Sequence, residues 1–522
     1  MNNPLYRLGL SSTVFLTGLA VLIVEIAATR ILAPYFGNSI FTFSSVIGII
    51  LAALSLGYYL GGRLADRRPS NFLFYGVIAA GGISVLLLQL LNLLLLPRIA
   101  YQLSMIHGPL AVSSLLFLLP ALLLGMLSPF AIKLLHEDDP ATGVGSVSGL
   151  VFFWSTLGSI AGSLGAGFLL IPRWGVGHIV IGTGVGLLLL GCAGMAAAAR
   201  ARRQLAAAAA VLLLGCAPAL LAYRLAAPAE KSLVYRRDGL YERIAVQDTR
   251  LQNRPARLLL QDRNPNSGIY LDDGSLAFDY TRYFELYRLY SPRVRRALAI
   301  GGGAYSVPQA LLQQLPEAEI DVAEIEPLLL PVAREYFGFA DSPRLHNHVL
   351  DGRRFLHDTP YRYELIFSDV YHNFAATPPQ FSSREFYELA AARLSENGVL
   401  IVNHYGSLDP STRPLILSLL RTLRSVFPQV YVYAVKDPGS LELQNFIFVA
   451  QLRPERVDPG LAAGIAFTYP ELKRIAALEY RPAAALVDAA MLLTDDYAPV
   501  EYYAAQVVRQ YDALLQSRRK GS

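Results

Sequence analysis

Two different hydrophobic patterns divide the chain. From Leu8 to Leu225, long apolar runs are separated by short loops with Gly, Pro and Arg, and each run can cross a hydrocarbon core about 30 Å thick. We place seven spans near residues 10–33, 40–62, 72–96, 109–135, 146–171, 176–198 and 204–224. A cleaved signal peptide is a poor explanation of the first run, because further spans follow it and no small-residue cleavage site ends it. The pattern predicts a multi-pass α-helical membrane domain over residues 1–231.

Short alternating runs begin after a link that contains Pro228. Residues 239–246, 257–261 and 269–271 predict a small antiparallel sheet with turns at Asn264-Pro265 and Asp272-Asp273-Gly274, and residues 279–290 predict a helix. From Arg296 onward, strands and helices alternate, which is typical of a mostly parallel α/β sheet. We therefore predict a small β-sheet and helix over 232–290 and a Rossmann-like domain over 291–522.

Glycine or a carboxylate stands where each of four predicted strands ends. These residues are the triplet Gly301-Gly302-Gly303, then Glu324, then Asp351-Gly352, and finally Asp369. Open α/β sheets bind nucleotides at the carboxyl ends of their strands. There, glycines let the backbone approach a ligand, and an acid about 20 residues further on suits a ribose diol. The spacing predicts a nucleoside-binding enzyme.

Composition and charge set the N-terminal half apart from an ordinary soluble protein. With 53% hydrophobic and 16% charged residues, the chain is too apolar for an ordinary soluble protein. The net charge of +5 comes from the membrane half, because the first 231 residues hold 13 Lys/Arg against 6 Asp/Glu, and the rest hold 32 against 34. We therefore expect no nucleic-acid partner.

The charges of the loops bear on orientation. Most of the basic loop residues fall on one side of seven spans: Arg7, Arg63, Arg67, Arg68, Lys133, Arg200, Arg202 and Arg203. Cytoplasmic loops collect Lys and Arg, which places the N-terminus in the cytoplasm and, by odd parity, the C-terminal half outside. Nucleotide-using enzymes work where their substrates are made, which favours the opposite, so the side of the C-terminal domain stays open.

A few residues of the predicted membrane half are candidates for a functional or packing role. Glu25 lies inside a span, where an acid is costly, and either pairs with Arg30 or neighbouring helices or serves transport or substrate binding. Gly158 and Gly162, with Gly165 and Gly167 beyond, predict close helix packing. Both cysteines, Cys192 and Cys216, lie in predicted spans, and no motif indicates a metal site.

Several segments of the soluble half together resemble a known family. They are Tyr241-Glu242-Arg243-Ile244, Asp279 to Glu285, the triple glycine, Glu324-Ile325-Glu326-Pro327, Asp351-Gly352 and Asp369. Their order and spacing resemble the spermidine synthases, the polyamine aminopropyltransferases, over residues 234–406. Glu25 to Arg30, Ala33 to Gly37 and Gly61 to Arg67 are similar to the membrane portion of the fused membrane spermidine synthases. The resemblance implies a class I methyltransferase-like fold.

The chemistry that the resemblance implies is aminopropyl transfer. A neutral amine, putrescine or a related diamine, attacks the carbon next to the sulfonium of decarboxylated S-adenosylmethionine and releases methylthioadenosine. That co-substrate is the cofactor expected, without a prosthetic group. The amine is mostly protonated at neutral pH, so a carboxylate must take its proton. Besides the amine and the adenosyl sulfonium, the expected partner is the lipid bilayer of the cell (inner) membrane; a homo-oligomer is left open.

The resemblance also implies roles for individual residues. Asp369 corresponds to the general base. The donor-binding residues are Gly301, Gly302, Gly303, Glu324 at the ribose, Asp351 beside the adenine amino group, Gly352 and Glu242. For the amine, the resemblance implies Tyr283 with Asp279 and Glu285 around it, although these two acids also suit a helix cap or a solvated helix face. Asp496 either supplies a carboxylate from a flap or, like Asp495, caps a helix.

Some positions depart from the family. Where an acid usually follows the triple glycine, the chain has Ala304-Tyr305-Ser306, and His372 stands where a second acid follows the general base. Glu242 replaces the usual glutamine and is a candidate for the lost negative charge. Two alternatives therefore stay open: a methyltransferase that uses ordinary S-adenosylmethionine, and a non-catalytic protein that binds or transports polyamines or nucleosides.

Overall fold

A computed structural model describes residues 4–225, 232–262, 264–371 and 377–507. The chain forms two compact units, Met1–Glu230 and Lys231–Ser522. They are described separately below.

Seven helices of the first unit are long and apolar enough to cross a membrane. They are Pro4–Phe36, Ile40–Arg67, Asn71–Ile99, Gly108–Asp138, Val144–Leu170, Val176–Ala198 and Arg202–Leu225, here called spans 1 to 7. Span 3 breaks between Leu94 and Leu96, span 4 breaks at Met126, and span 5 ends in a π-helical turn over Ala166–Leu170. The prediction of seven spans is confirmed.

Glycine brings spans 1 and 5 into backbone contact. A Cβ atom on Gly158 would lie 2.0 Å from the carbonyl oxygen of Phe15, and one on Gly162 would lie 2.3 Å from that of Leu19. Lipid supplies no hydrophobic drive to join two helices, so such close packing is what holds them together. The predicted packing role is confirmed for these two glycines but is wrong for Gly165 and Gly167, around which a Cβ would have open space.

The outer surface of this unit is apolar. Phe168 is 80% exposed and Leu213 is 73% exposed, which in water would be unfavourable and in lipid is expected. Glu25 is half-buried, and Cys192 and Cys216 lie in spans 6 and 7. Thus the unit has the surface and the helix lengths of a membrane protein.

The second unit begins with a four-stranded antiparallel sheet in the order β1-β2-β3-β4, formed by Leu233–Asp238, Arg243–Leu251, Arg254–Gln261 and Asn264–Tyr270. The first strand was missed by the sequence analysis. Asn264-Pro265 opens β4, so the predicted turn at that pair is wrong: the chain reverses earlier, at Asp262, where φ is +57°. The predicted turn at Asp272 to Gly274 is confirmed by the bond from Gly274 N to the Tyr270 carbonyl, 3.0 Å.

A seven-stranded sheet forms the body of this unit. Its strands are β5 Arg296–Ile300, β6 Glu319–Glu324, β7 Leu345–Val349, β8 Tyr363–Ser368, β9 Leu394–Gly406, β10 Gln429–Ala434 and β11 Gln444–Gln451. The spatial order is β10-β11-β9-β8-β5-β6-β7, with β11 antiparallel to both neighbours and the rest of the ladder parallel. This is the predicted Rossmann-like, class I methyltransferase-like fold.

Helices cover both faces of this sheet. The predicted helix over 279–290 is a 3₁₀ helix, Asp279–Leu286, followed by Tyr287–Tyr290. Further α-helices include Ser306–Gln314, Leu329–Tyr336, Gly352–Asp358, Arg384–Arg393, Pro414–Arg424 and Ala484–Asp488, and 3₁₀ helices cover Pro379–Phe381, Pro459–Gly464 and Pro470–Leu478. Alternate residues of β5 enter different cores: Ala297 and Ala299 pack on one face, and Leu298 and Ile300 on the other.

The order of the strands determines where a ligand can bind. From β5 the chain moves to β6 and β7 on one side, and then crosses to β8 on the other side of β5. The carboxyl ends of β5 and β8 therefore flank a topological switch point, where open α/β sheets form their ligand crevice.

Candidate active site

The triple glycine makes a tight turn at the end of β5. Gly301 has φ +92° and Gly303 has φ +52°, conformations that residues with a side chain rarely adopt. A Cβ on Gly301 would also lie 2.6 Å from the carbonyl oxygen of Asp369. The glycines thus allow the ends of β5 and β8 to meet. Ala304, the residue after the turn, is 2% exposed and packs in the core. The turn itself therefore has no carboxylate that could contact a bound ligand.

Glu324 joins the end of β6 to this turn. Its Oε2 accepts a hydrogen bond from Gly302 N, and its Oε1 accepts one from Glu326 N, both at 2.7 Å. Burial raises the pKa of the Glu324 carboxyl, and these backbone donors oppose the rise. The acid therefore lies beside the glycine turn, where the sequence predicts the ribose hydroxyls.

Asp351 begins the helix after β7. Its Oδ1 accepts hydrogen bonds from Arg353 N at 2.9 Å and Arg354 N at 3.0 Å, which is an N-cap. The next position has room only for glycine, because a Cβ on Gly352 would lie 2.2 Å from Ile300 Cγ2. Both residues have a structural role in the described fold, and the predicted contact of Asp351 with adenine stays a prediction.

Asp369 lies just beyond β8, in a largely neutral surrounding. Its Oδ1 accepts a hydrogen bond from Asn403 Nδ2 at 2.9 Å, and the Asn403 Oδ1 accepts one from Asn445 Nδ2 at 2.9 Å. The Tyr280 hydroxyl lies beside the Asp369 carboxyl and donates its hydrogen bond to the Asn266 carbonyl oxygen at 2.7 Å. Desolvation raises the pKa of the Asp369 carboxyl to about 6, against the lowering effect of Asn403 and Tyr280. A carboxylate with a pKa near neutrality can exchange a proton with an amine.

The residues around Asp369 were not predicted from the sequence. Tyr280, Asn403 and Asn445 come from the 3₁₀ helix, β9 and β11. One signal was available, since Asn403 is a polar residue directly after the apolar run from Val399 to Val402. In the structure it is 1% exposed.

The residues predicted for the amine form a separate set of contacts. Tyr283 is 3% exposed, and its hydroxyl donates to the Val435 carbonyl at 3.4 Å. Asp279 is exposed and paired with Arg282 at 3.1 Å. Glu285 is completely buried, with one oxygen bonded by Gln314 and the other by Thr468 N at 2.8 Å. In the described structure Tyr280, rather than Tyr283, lies beside Asp369, and Tyr283 and Glu285 are bonded elsewhere in the core.

Glu242 belongs to a group of acids near Glu324. It is half-buried, and its Oε1 accepts a hydrogen bond from Gln261. Desolvation, followed by the charges of Asp262, Glu324 and Glu326, raises the pKa of its carboxyl well above the usual value, although the bond from Gln261 opposes the rise. Glu326 is 1% exposed, and its oxygens accept from Tyr241 N at 2.9 Å and Leu328 N at 3.2 Å.

The acidic segment near residue 495 makes contacts through Asp495. Its two oxygens accept from Arg353 at 2.7 and 2.5 Å, whereas Asp496 is exposed. The helix that follows begins at residue 500, so the interpretation of either acid as its N-cap is wrong. The role of Asp496 in amine binding stays a prediction, and His372 lies outside the described residues. Nowhere in the described ranges do three His, Cys, Asp or Glu side chains form a group suited to a metal ion.

The domain is similar to known proteins of two kinds, polyamine aminopropyltransferases and a methyltransferase. The family described as "Spermine/spermidine synthase domain" matches residues 285–457. A polyamine aminopropyltransferase from Vibrio vulnificus is 29% identical over 214 residues, which cover 40% of this chain and 69% of that enzyme. An "eEF1A lysine and N-terminal methyltransferase" from mouse is 30% identical over 168 residues, which cover 30% of this chain but only 23% of that protein.

Among solved structures, a probable spermidine synthase from Corynebacterium glutamicum aligns with a TM-score of 0.42 and 21% identity, over 51% of this chain and 97% of that one. The fold and the acids at its strand ends suit a domain that binds its ligand at the switch point of the sheet. More particularly, residues 285–457 match the spermine/spermidine synthase domain, and the relatives named polyamine aminopropyltransferase indicate an enzyme of the aminopropyltransferase type.

Proposed function

We propose that this protein is a membrane-bound aminopropyltransferase. In this proposal the donor is decarboxylated S-adenosylmethionine, the acceptor is putrescine or a related amine, and the enzyme is a multi-pass protein of the cell (inner) membrane. The observation that carries the proposal is Asp369, a carboxylate with a pKa of about 6 at the switch point, next to the glycine turn. The matching family and the seven long apolar helices support it.

In the proposed transfer, one C–N bond forms, one C–S bond breaks and Asp369 takes up a proton. The neutral acceptor nitrogen attacks the methylene carbon next to the sulfonium, a C–N bond forms, and the C–S bond breaks with its electrons on sulfur. Methylthioadenosine leaves uncharged, and the proton lost from the acceptor nitrogen passes to Asp369. The sulfonium is already an activated leaving group, so the remaining tasks are alignment of the two substrates and removal of that proton.

The groups around Asp369 are polar but neutral, which suits a carboxylate that takes a proton from the acceptor amine. Asn403 fixes one carboxylate oxygen, and Asn445 fixes Asn403 in turn. These two amides fix the orientation of the carboxylate and leave its negative charge in place. A lysine ammonium at the same position would neutralise that charge. An amine that approaches Asp369 therefore meets an ionisable acid whose burial favours acceptance of a proton.

The test is an assay of the purified full chain in detergent or lipid nanodiscs. Incubation with putrescine and decarboxylated S-adenosylmethionine should yield methylthioadenosine and an aminopropylated amine in equal amounts, and omission of either substrate should abolish both. A folded protein that forms neither product with a panel of diamines contradicts the proposal.

A second candidate is an amine methyltransferase. The turn at Ala304 presents no carboxylate, and the mouse relative named as a lysine and N-terminal methyltransferase is 30% identical over its matched part. The same assay distinguishes the two, because methyl transfer from ordinary S-adenosylmethionine yields S-adenosylhomocysteine and no methylthioadenosine.

A further inference from the structure

A donor with a free aminopropyl chain brings a positive charge that the site must bind. The chain ends in an ammonium, while ordinary S-adenosylmethionine carries a carboxylate as well. A buried ammonium needs a charged or strongly polar partner, since its transfer out of water is otherwise very costly. The residue that provides this partner would determine which of the two donors the enzyme accepts.

We propose that the Glu242 carboxylate binds the terminal ammonium of the aminopropyl chain and so selects the decarboxylated donor. This inference rests on the proposed function and assigns one specificity-determining residue to it. The Asp369 carboxylate is reserved for the acceptor, so a second acid has to serve the donor ammonium.

The contacts of the neighbouring acids single out Glu242. Both oxygens of Glu324 and both oxygens of Glu326 accept hydrogen bonds from backbone N–H groups. Asp351 caps a helix, and the Asp262 Oδ1 accepts a hydrogen bond from Arg243 N at 3.0 Å. Glu242 is held differently, since its described hydrogen bond comes from a side chain, Gln261, and it is only half-buried.

A line of hydrogen bonds connects Glu242 to the reaction centre. Gln261 donates to Glu242 and accepts from Asn266 Nδ2 at 3.0 Å. The Tyr280 hydroxyl donates to the Asn266 carbonyl oxygen at 2.7 Å and lies beside Asp369. Glu242 and Asp369 thus lie at the two ends of one line of polar groups. This line passes the glycine turn, where a Cβ added to Gly303 would lie 3.3 Å from the Ser267 Cβ. An aminopropyl chain beside this line has its reacting carbon near Asp369 and its ammonium toward Glu242.

The electrostatics of the acid group strengthen this assignment. Glu242 lies near Asp262, Glu324 and Glu326, and their charges together with desolvation raise the pKa of its carboxyl. An ammonium that arrives beside it favours the ionised form, so binding of the donor should release a proton. The carboxylate of ordinary S-adenosylmethionine would instead meet like charges in this group, which disfavours that ligand.

The experiment measures ligand affinity of the full chain in nanodiscs by calorimetry. Three ligands are compared: decarboxylated S-adenosylmethionine, ordinary S-adenosylmethionine, and methylthioadenosine, which lacks the aminopropyl chain. In Glu242→Gln, which preserves the shape of the side chain, affinity for the decarboxylated donor should fall by at least about tenfold, equivalent to about 1.4 kcal/mol. Affinity for methylthioadenosine should stay unchanged, which also shows that the nucleoside site is folded.

A matched control is Glu317→Gln, which removes an exposed acid outside the group and should change none of the three affinities. If the wild type prefers the decarboxylated donor and Glu242→Gln retains that preference, the inference is overturned and the proposed function stands. An equal loss for all three ligands assigns Glu242 a structural role and also overturns it. A wild type that prefers ordinary S-adenosylmethionine contradicts both the inference and the proposed function.

Discussion

The two ends of the candidate site hold their acids in different ways. At the glycine-turn end, Glu324 and Glu326 are bonded by backbone N–H groups, which come from the turn and from neighbouring loops. At the other end, Asp369 accepts a hydrogen bond from the Asn403 side chain and lies beside the Tyr280 hydroxyl. Backbone donors cannot move without a change in the fold, whereas side chains can adjust as a proton is gained.

The difference teaches how one sheet edge can provide both binding and proton transfer. Donors from the backbone favour the ionised form of a carboxylate and so suit a permanent hydrogen-bond acceptor for hydroxyls. At Asp369 burial outweighs the donors and raises the pKa to about 6, which suits an acid that must take up a proton. The three predictions that follow test this division, in order of expected effect.

The largest effect is expected for Asp369→Asn. The amide cannot accept the proton, and removal of a general base typically costs 10²- to 10⁴-fold in rate, so kcat should fall by about that factor. The assay is formation of methylthioadenosine. Because the pKa of Asp369 is raised in the fold, its ionisation costs stability as pH rises through about 6, so the variant should melt no lower than the wild type at pH 8.

Asp341→Asn, on an exposed loop carboxylate paired with Arg334, is the control and should retain full activity. A variant of Asp369 that keeps more than a tenth of the wild-type kcat would show that this acid is not the base.

A smaller effect is expected for Glu324→Gln. The substitution replaces a charged acceptor with an amide, and hydrogen bonds to charged groups contribute about 1.5–3 kcal/mol, so the KM for the donor should rise by roughly 10- to 100-fold. The value of kcat should change much less. Steady-state kinetics with varied donor give both numbers, and a drop in kcat at unchanged KM would contradict the division between the two ends.

The smallest effect is a pH dependence over a narrow range. Asp369 must be ionised to act, and its pKa is about 6, so kcat at saturating donor should fall about tenfold per pH unit below 6. Measurements from pH 5 to 8 reveal the midpoint. Glu324→Gln should preserve that midpoint, and a flat profile between pH 5 and 6 would exclude Asp369 as the titrating group.

The ends of the sheet strands were predicted well, and the side chains around them were not. Glu324 and Asp369 were identified because a strand that ends in an acid is visible along the sequence. Tyr280, Asn403 and Asn445 were missed because each comes from a different element, and Asn445 reaches Asn403 only when β9 and β11 pair. In the same way, Glu285 was predicted beside the amine from its place next to Tyr283, yet its carboxylate is bonded by Gln314 and Thr468.

The sequence by itself determined the seven apolar helices and the alternation of strands and helices after Arg296, because hydrophobic length and periodicity act locally along the chain. Only the tertiary structure decided which glycines pack against a neighbouring backbone and which acids receive donors. Gly158 contacts Phe15 while Gly165 faces open space, and hydrogen bonds across three elements lead from Glu242 to Tyr280, which lies beside Asp369. These properties depend on contacts between residues distant in the chain, which no local pattern encodes.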